Sequence, residues 1–429
     1  MSNTSASSRA NGLIVPVNGR IEGCRACGET DLPSVLDLGR MPLANRLLAE
    51  DQLNEPEPTY PLELVFCPRC SLVQITQTVP PEELFDHYLY FSSFSDTVLN
   101  NAREVVDLMR KWKRLSGESL VVEVASNDGY LLQFYREAGV PVLGIEPAAN
   151  IAKVAVEERG IRTVNEFFGR DFARSLATRG ERADVMHANN VLAHVADTNG
   201  FVEGFAILLK EDGIVVVEVP YLRDTVEGTE FDQIYHEHLC YFSLTSLDRL
   251  FRSHGLTIFD VQHIAIHGGS LRVFARRELD MPGHVGQAVG DMLDEEQGLG
   301  MDMLEYYRAF ASRVEQLKAG LRELLSDLKS ASKRIAVYGA SAKSATLLNY
   351  FGIGAETLDW VADRSTAKQG LYTPGTRLPI VPPERMLEDQ PDYVLLLSWN
   401  FRDEILGQQA AYRERGGRFI IPIPKLEVV

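Results

Sequence analysis

The stretch Ser119-Leu-Val-Val-Glu-Val-Ala-Ser-Asn-Asp-Gly-Tyr-Leu-Leu-Gln-Phe-Tyr-Arg-Glu-Ala-Gly-Val140 decides the fold. Its apolar run Val121 to Ala125 reads as a buried strand, the small and polar residues after it as a turn, and the residues from Tyr130 as a helix. Strand, turn and helix in that order are the unit of a parallel α/β sheet. Outward from it, VLGIEP at 142–147, a helix from Asn150, ADVMHANNVLAHV at 183–195 and GIVVVEVP at 213–220 continue the alternation. A parallel sheet is therefore expected over roughly 95–220. An amphipathic helix carrying Val98, Ala102, Val105, Val106 and Met109 leads into it, and short strands near Ile258 and from Leu271 to Phe274 follow it.

Between 296 and 332, Phe310, Val314, Leu317, Leu321, Leu324 and Leu328 recur by threes and fours, the stripe of one long linking helix. After it RIAVYGASAKSATLLNYFGI restarts a strand, Gly-turn and helix, with LDWVADRS and DYVLLLSWN as further strands. The expected organisation is a polar leader at 1–20, a small module at 21–92, an α/β domain at 93–295, the linking helix at 296–332 and a second α/β domain at 333–429.

The chain has 429 residues, 45% hydrophobic and 24% charged, enough for two or three domains with their own cores. Its 43 basic residues against 60 acidic ones give a net charge of −17, which argues against nucleic acid and anionic membranes as partners. The first twelve residues lack the apolar segment of a signal peptide, and no run approaches the ~18 apolar residues of a membrane span, so a cytoplasmic enzyme is expected.

Four of the five cysteines form two Cys-x-x-Cys pairs, Cys24/Cys27 and Cys67/Cys70, set in a Pro-punctuated, core-poor segment. Each pair can present two thiolates to one tetrahedral ion, and zinc fits best. Four cysteine ligands leave no open position, so the ion is structural, and its binding supplies folding energy this segment lacks. The alternative is a set of buried free thiols.

The turn Glu123-Val-Ala-Ser-Asn-Asp-Gly129 is not Gly-x-Gly-x-x-Gly, so a dinucleotide is disfavoured. The next strand ends in Glu146-Pro147, where a carboxylate could accept both hydroxyls of a ribose. Glu123, Ala125, Ser126, Asn127, Gly129, Glu146 and Pro147 in this order suit S-adenosylmethionine, with another nucleotide cofactor as the alternative. Asn189 and Asn190 fall at the carboxyl edge of the sheet, where such folds bind ligands, and His194 follows.

Downstream lies Tyr235-His236-Glu237-His238. Its spacing does not match a helical His-Glu-x-x-His zinc protease. In an extended strand Tyr235 and Glu237 would face one way, His236 and His238 the other. A carboxylate beside two imidazoles suits a general base near neutral pH, although a polar surface loop could share this composition. In the second α/β domain, Gly339-Ala-Ser341-Ala-Lys343 offers backbone N–H groups and an ammonium to an anion such as a diphosphate, with Asp363 and Trp399-Asn400 at the adjoining strand ends as candidate base and ribose contacts.

Taken in order, the two Cys-x-x-Cys pairs, Tyr88-Leu-Tyr90-Phe-Ser-Ser-Phe-Ser95, Glu123 to Gly129, Tyr235 to His238, His267-Gly-Gly-Ser-Leu-Arg272 and Tyr338-Gly-Ala-Ser-Ala-Lys343 resemble one family. It is the three-domain sugar C-methyltransferases that act on nucleotide-linked 4-keto-deoxysugars for antibiotic and surface-glycan biosynthesis. The resemblance runs from Cys24 to the C-terminus. It implies an N-terminal zinc module, a class I methyltransferase Rossmann-like domain for S-adenosylmethionine, and a C-terminal Rossmann-like α/β domain that helps hold the sugar nucleotide.

By the same resemblance His238 is the catalytic base, with Glu237, Tyr235 and His194 around the reacting sugar, and Tyr88 and Tyr90 in a tyrosine segment, one of them facing it. His236, Lys343, Ser341, Asp363 and Asn400 become substrate-binding candidates. The expected reaction is methylation of the carbon beside the ketone, C-3 first, of a dTDP-linked 4-keto-deoxyhexose by a monomer or homodimer. Two other readings stand beside it: a C-methyltransferase for a different activated keto compound, and a non-enzymatic zinc-finger interaction protein.

Overall fold

The computed structural model describes residues 7–10, 13–16, 19–84, 91–278 and 285–429. Its centre is a seven-stranded sheet in the order Thr163–Val164, Val142–Ile145, Val121–Val124, Ala183–Asn189, Leu209–Pro220, Ser270–Arg277, Leu256–Ile264. The first five strands are parallel, and Ser270–Arg277 runs against both its neighbours. Val121, Val122, Val124, Val215, Val216 and Val217 are fully or almost fully buried, as strands covered on both faces must be. The predicted parallel sheet is thus present, and the two later strands are not separate from it but complete its edge.

The N-terminal module is an antiparallel sheet of Ser34–Met41, Tyr60–Phe66 and Val73–Ile75, to which Cys240–Tyr241 adds a fourth strand. The segment just after Tyr235–His238 is therefore stitched into this module by backbone pairing. Within the stretch read as a polar leader, Ser7–Ala10 and Leu13–Pro16 pair as a short antiparallel ribbon.

The expected single helix at 296–332 is two. Residues 296–299 finish the helix Gln287–Leu299, Gly300 stops it in the left-handed conformation at φ 76°, and the apolar stripe occupies Leu304–Ser330. Gly300 can adopt that φ without a Cβ penalty, which makes it the break. The C-terminal sheet runs Ile380–Val381, Val361–Ala362, Ile335–Tyr338, Tyr393–Leu396, Arg418–Ile421, Glu427–Val428, with only the last strand antiparallel. Its first five strands repeat the connectivity of the central sheet, so both have their ligand-binding edge at the strand carboxyl ends.

Candidate active site and zinc centre

The four cysteine sulfurs lie within 4.8 Å of one another, with Cys24 and Cys70 3.5 Å apart and Cys27 and Cys67 3.4 Å apart. Sulfurs each ~2.3 Å from one tetrahedral ion sit about 3.8 Å apart, so the donor set fits zinc. The two knuckles are built alike. Gly28 and Ser71 donate their N–H to the Cys24 and Cys67 carbonyls, while Cys24 and Cys67 donate theirs to the Glu29 and Leu72 carbonyls. Gly28 and Ser71 share a left-handed φ of 77° and 62°. Between the first two ligands, Arg25 is 2% exposed and donates to Ile75 O at 2.6 Å and Thr78 Oγ1 at 2.9 Å. Its own carbonyl accepts from Asn199 Nδ2 at 2.7 Å, tying the knuckle to the central domain.

At the central sheet, the turn after Val121–Val124 contains three consecutive alternate residues with left-handed backbones: Ala125 at φ 53°, Asn127 at 49° and Gly129 at 78°. Glu146 clamps it, accepting the Asn127 N–H at 2.9 Å on one oxygen and the Ala148 N–H at 2.8 Å on the other. Burial holds the Glu146 carboxyl above its ordinary range while those two N–H groups pull it back. Asn165 Nδ2 donates to the Glu146 and Pro147 carbonyls, fixing the second loop beside the first. Glu123 is buried, and burial with the neighbouring Asp128, Glu146 and Glu218 pushes its carboxyl well up.

A Cβ at Gly129 would stand 2.8 Å from Ile161 Cγ1, so packing as well as the left-handed backbone calls for glycine there. Ser126 Oγ, Asp128 Oδ1, Asn189 Oδ1 and Asn190 Oδ1 are buried with no hydrogen-bond partner. Asn190 has φ 54°. Strained backbone and unpaired polar atoms gather at this one sheet edge and make it the candidate ligand site. They fit a cofactor with the hydroxyls and amino group of S-adenosylmethionine. Ser92 N–H donates to Asn127 Oδ1 at 2.9 Å, bringing the Phe-Ser-Ser-Phe-Ser segment onto this turn. Tyr88 and Tyr90 lie outside the described residues.

Tyr235–His238 is not extended. The His238 N–H donates to the Tyr235 carbonyl at 2.9 Å, closing a turn that brings residues i and i+3 together. Tyr235 and His238 therefore meet, with the hydroxyl 2.8 Å from Nε2, and the expected partition of the four side chains is replaced. His238 Nδ1 is 2.9 Å from the Gln233 carbonyl, which can only accept, so Nδ1 carries a proton. The Tyr235 hydroxyl then donates to Nε2 when the imidazole is neutral. The His194 ring stands edge-on to His238 at 4.9 Å, and burial lowers its pKa to about 4, keeping it neutral.

The other two residues of the turn face the zinc module. Glu237 Oε1 accepts from Asn45 Nδ2 at 2.6 Å, and burial lifts its carboxyl to about 7. His236 is 1% exposed, with Nε2 3.2 Å from the Pro61 carbonyl and its ring edge-on to Tyr60. His236 is thus packed away from the Tyr235–His238 pair, and burial depresses it to about 4.

In the C-terminal domain, Ser341 caps the helix Ala342–Phe351 in a reciprocal box with Ser344. Asp363 accepts the Ala340 and Ser365 N–H groups, both at 2.8 Å. Lys343 is not extended toward an open turn: its Nζ sits 4.3 Å over the Trp399 ring, and its charge partly offsets the burial that raises the carboxyls of Glu230 and Asp232. Asn400 follows in the short helical turn Trp399–Phe401. Asp232, Gln233 and Asn45 were not singled out in the sequence: Asp232 and Asn45 gain their meaning from a contact with another domain, and Gln233 from its backbone carbonyl, which its side chain does not announce.

Three family models match consecutive parts of the chain: a zinc binding domain over 24–85, a methyltransferase domain over 100–261 and a C-methyltransferase C-terminal domain over 265–424. With the sheet order and the zinc centre, they define a zinc-containing, S-adenosylmethionine-dependent methyltransferase. C-methyltransferase NovU of Streptomyces niveus is 39% identical over 409 residues, covering 95% of this chain and 97% of that protein. The chain belongs to the C-methyltransferase family, and the reading as a non-enzymatic zinc-finger protein falls. A ubiquinone biosynthesis O-methyltransferase of Azorhizobium caulinodans is 28% identical over 111 residues, 25% of this chain and 42% of that protein. Magnesium protoporphyrin IX methyltransferase of Synechocystis PCC 6803 with bound SAM overlays 42% of this chain and 79% of its own at 14% identity and a TM-score of 0.32. No helix of the described residues is long and apolar enough to cross a membrane.

Proposed function

We propose that the enzyme methylates the carbon beside the ketone of a nucleotide-linked 4-keto-deoxyhexose, with His238 as base. The observation that carries this reading is the Tyr235–His238 turn: the Gln233 carbonyl fixes the ring proton on Nδ1 and leaves Nε2 as the basic nitrogen, beside a phenol and a neutral imidazole.

Nε2 of His238 takes the C–H proton, and the electron pair of that bond moves into the enolate. The Tyr235 hydroxyl turns from Nε2 to the ketone oxygen as the substrate enters, which opens that nitrogen's lone pair to the C–H proton, and it and the neutral His194 ring then stabilise the developing oxyanion. S-adenosylmethionine, when bound, would supply the electrophilic methyl, its sulfonium carbon–sulfur bond breaking as that electron pair forms the new carbon–carbon bond and S-adenosylhomocysteine leaves. Glu146 and the unpaired oxygens of Ser126, Asn189 and Asn190 are its polar contacts in this reading. Glu237 acts through Asn45 and the shape of the turn. Asp363 and Asn400 take the nucleoside, and Lys343 serves only where Trp399 leaves it in reach of a phosphate.

The test is to incubate the zinc-loaded enzyme in D2O with dTDP-linked 4-keto-6-deoxyhexoses, with and without S-adenosylmethionine, and to follow product mass and deuterium position. A carbon-bound methyl, and deuterium entering at C-3 or C-5 without the cofactor, are expected. His238→Gln should lose roughly 10²- to 10⁴-fold in both. Undiminished exchange in that variant removes His238 as the base.

A further inference from the structure

The short turn Phe231–Ile234 is gripped at three positions by the C-terminal domain. Phe231 stacks on Phe351 with ring centroids 5.0 Å apart, Asp232 Oδ2 accepts from Trp399 Nε1 at 2.7 Å, and the Ile234 carbonyl accepts from Thr346 Oγ1 at 3.2 Å. The position between the last two, Gln233, has its carbonyl turned the other way, onto His238 Nδ1 at 2.9 Å and the Tyr241 hydroxyl at 3.3 Å. Asp232 is 1% exposed, so its bond to Trp399 is made without competing water.

We infer that Trp399 and Thr346 are positioning residues for His238: through the Phe231–Ile234 turn, the C-terminal domain sets the tautomer and aim of the histidine. This rests on the reading of His238 as base. A histidine tautomer is fixed by what its second nitrogen binds, and here that partner is a backbone carbonyl held only as firmly as its turn. Trp399 also lies under Lys343 and next to Asn400, at the carboxyl edge of the C-terminal sheet. A ligand in that edge would press on the same indole that holds Asp232, so substrate occupancy and the aim of the base are mechanically linked.

Trp399→Phe keeps a ring under Lys343 and deletes the N–H donor with the pyrrole half of the indole, and Thr346→Val deletes the second bond at nearly constant volume, which separates the lost bond from lost packing. Long-range 1H–15N spectra of the full-length, zinc-loaded protein, with the His238 signals assigned from His238→Gln, report the tautomer without substrate. The wild type should show Nδ1–H, and Trp399→Phe a mixture of tautomers. In turnover, either variant should lower kcat and cofactor-independent deuterium exchange together by about 10-fold, the scale of lost outer hydrogen bonds, and move the acid limb of the kcat profile.

An unchanged tautomer in both variants, or a raised KM with kcat and the pH profile intact, overturns the positioning role. Those results leave the base reading standing, because that reading fails on a different observation, wild-type exchange in His238→Gln. If Trp399→Phe does not fold, Thr346→Val carries the same test.

Discussion

Glu146 and Asp363 hold the same post in two different sheets. Each ends the second strand of its domain. Each accepts on one oxygen a backbone N–H from the turn after the first strand, Asn127 or Ala340, and on the other the N–H two residues along its own chain, Ala148 or Ser365. The carboxylate is thereby aimed before any ligand arrives, which lowers the ordering cost of binding. A hydrogen bond to a charged group contributes about 1.5–3 kcal/mol. Glu146→Gln should therefore weaken S-adenosylmethionine binding by roughly 10- to 100-fold in calorimetry while leaving nucleotide-sugar affinity alone. Asp363→Asn should do the reverse. If either change moves both affinities equally, the two carboxylates do not serve separate ligands.

Zinc removal should disable the active site and not only the N-terminal module. Cys240–Tyr241 pairs with Val73–Gln74, immediately after the second knuckle, and Asn45 and Pro61 of the same module hold Glu237 and His236. Structural zinc contributes on the order of 10 kcal/mol in small zinc domains. Cys67→Ser should lose the bound metal, measured by elemental analysis at one zinc per wild-type chain. It should also lower the melting temperature and abolish methyl transfer. A zinc-free variant with full activity would separate the module from catalysis.

Buried groups on and around the Tyr235–His238 turn make stability depend on pH in two opposed ways. His194 and His236 have folded pKa values of about 4, below the ordinary 6.5. The unfolded chain therefore binds more protons between those values, and stability rises with pH up to about 6.5. Glu230 and Glu237 are raised to about 8 and about 7 from 4.5, so the folded state holds the extra protons and stability falls as pH rises through that window. Above pH 6.5 only the carboxyl effect remains. The melting temperature should decline between pH 6.5 and 8, and Glu230→Gln should flatten that decline. A decline of unchanged slope in the variant would show that Glu230 is not its source.

The strand Val121–Val124, its turn, the Glu146 that follows and the four cysteines were legible because each signal is local: an apolar run, a spacing of three, a residue at a strand end. The shape of Tyr235–His238 was not. Whether four polar residues extend or turn depends on what holds their flanks. Those flanks are held by Val73–Gln74, Thr346 and Trp399, the last of them 167 residues from its partner Asp232. Lys343 shows the same limit from the other side. A lysine after a Gly-turn reads as a phosphate ligand until Trp399, Glu230 and Asp232 arrive from elsewhere in the chain to occupy it.

Glu296 offers a sharper case, since a glutamate in Asp-Glu-Glu-Gln on a polar helix would be expected to face solvent. It is 0% exposed, and accepts the Leu244 N–H at 2.7 Å, the Thr245 N–H at 2.8 Å and the Thr245 hydroxyl at 2.6 Å. Those two N–H groups open the helix Leu244–Arg252, so the carboxylate satisfies donors the helix cannot and places negative charge at its positive end. That helix packs against the strand Leu256–Ile264 and against the helix Gln287–Leu299 that carries the acid. Leaving a buried N–H without its acceptor costs about 1–3 kcal/mol, and the Leu244 and Thr245 N–H groups both lose theirs. Glu296→Ala should therefore raise amide exchange across Leu244–Arg252 by roughly 10²-fold or more. Glu296→Gln, which keeps one acceptor and the volume, should raise it by far less. Zinc content and S-adenosylmethionine affinity should hold in both. Equal protection of Leu244–Arg252 in Glu296→Ala and the wild type would mean that the helix start is held by its Ser243 cap alone.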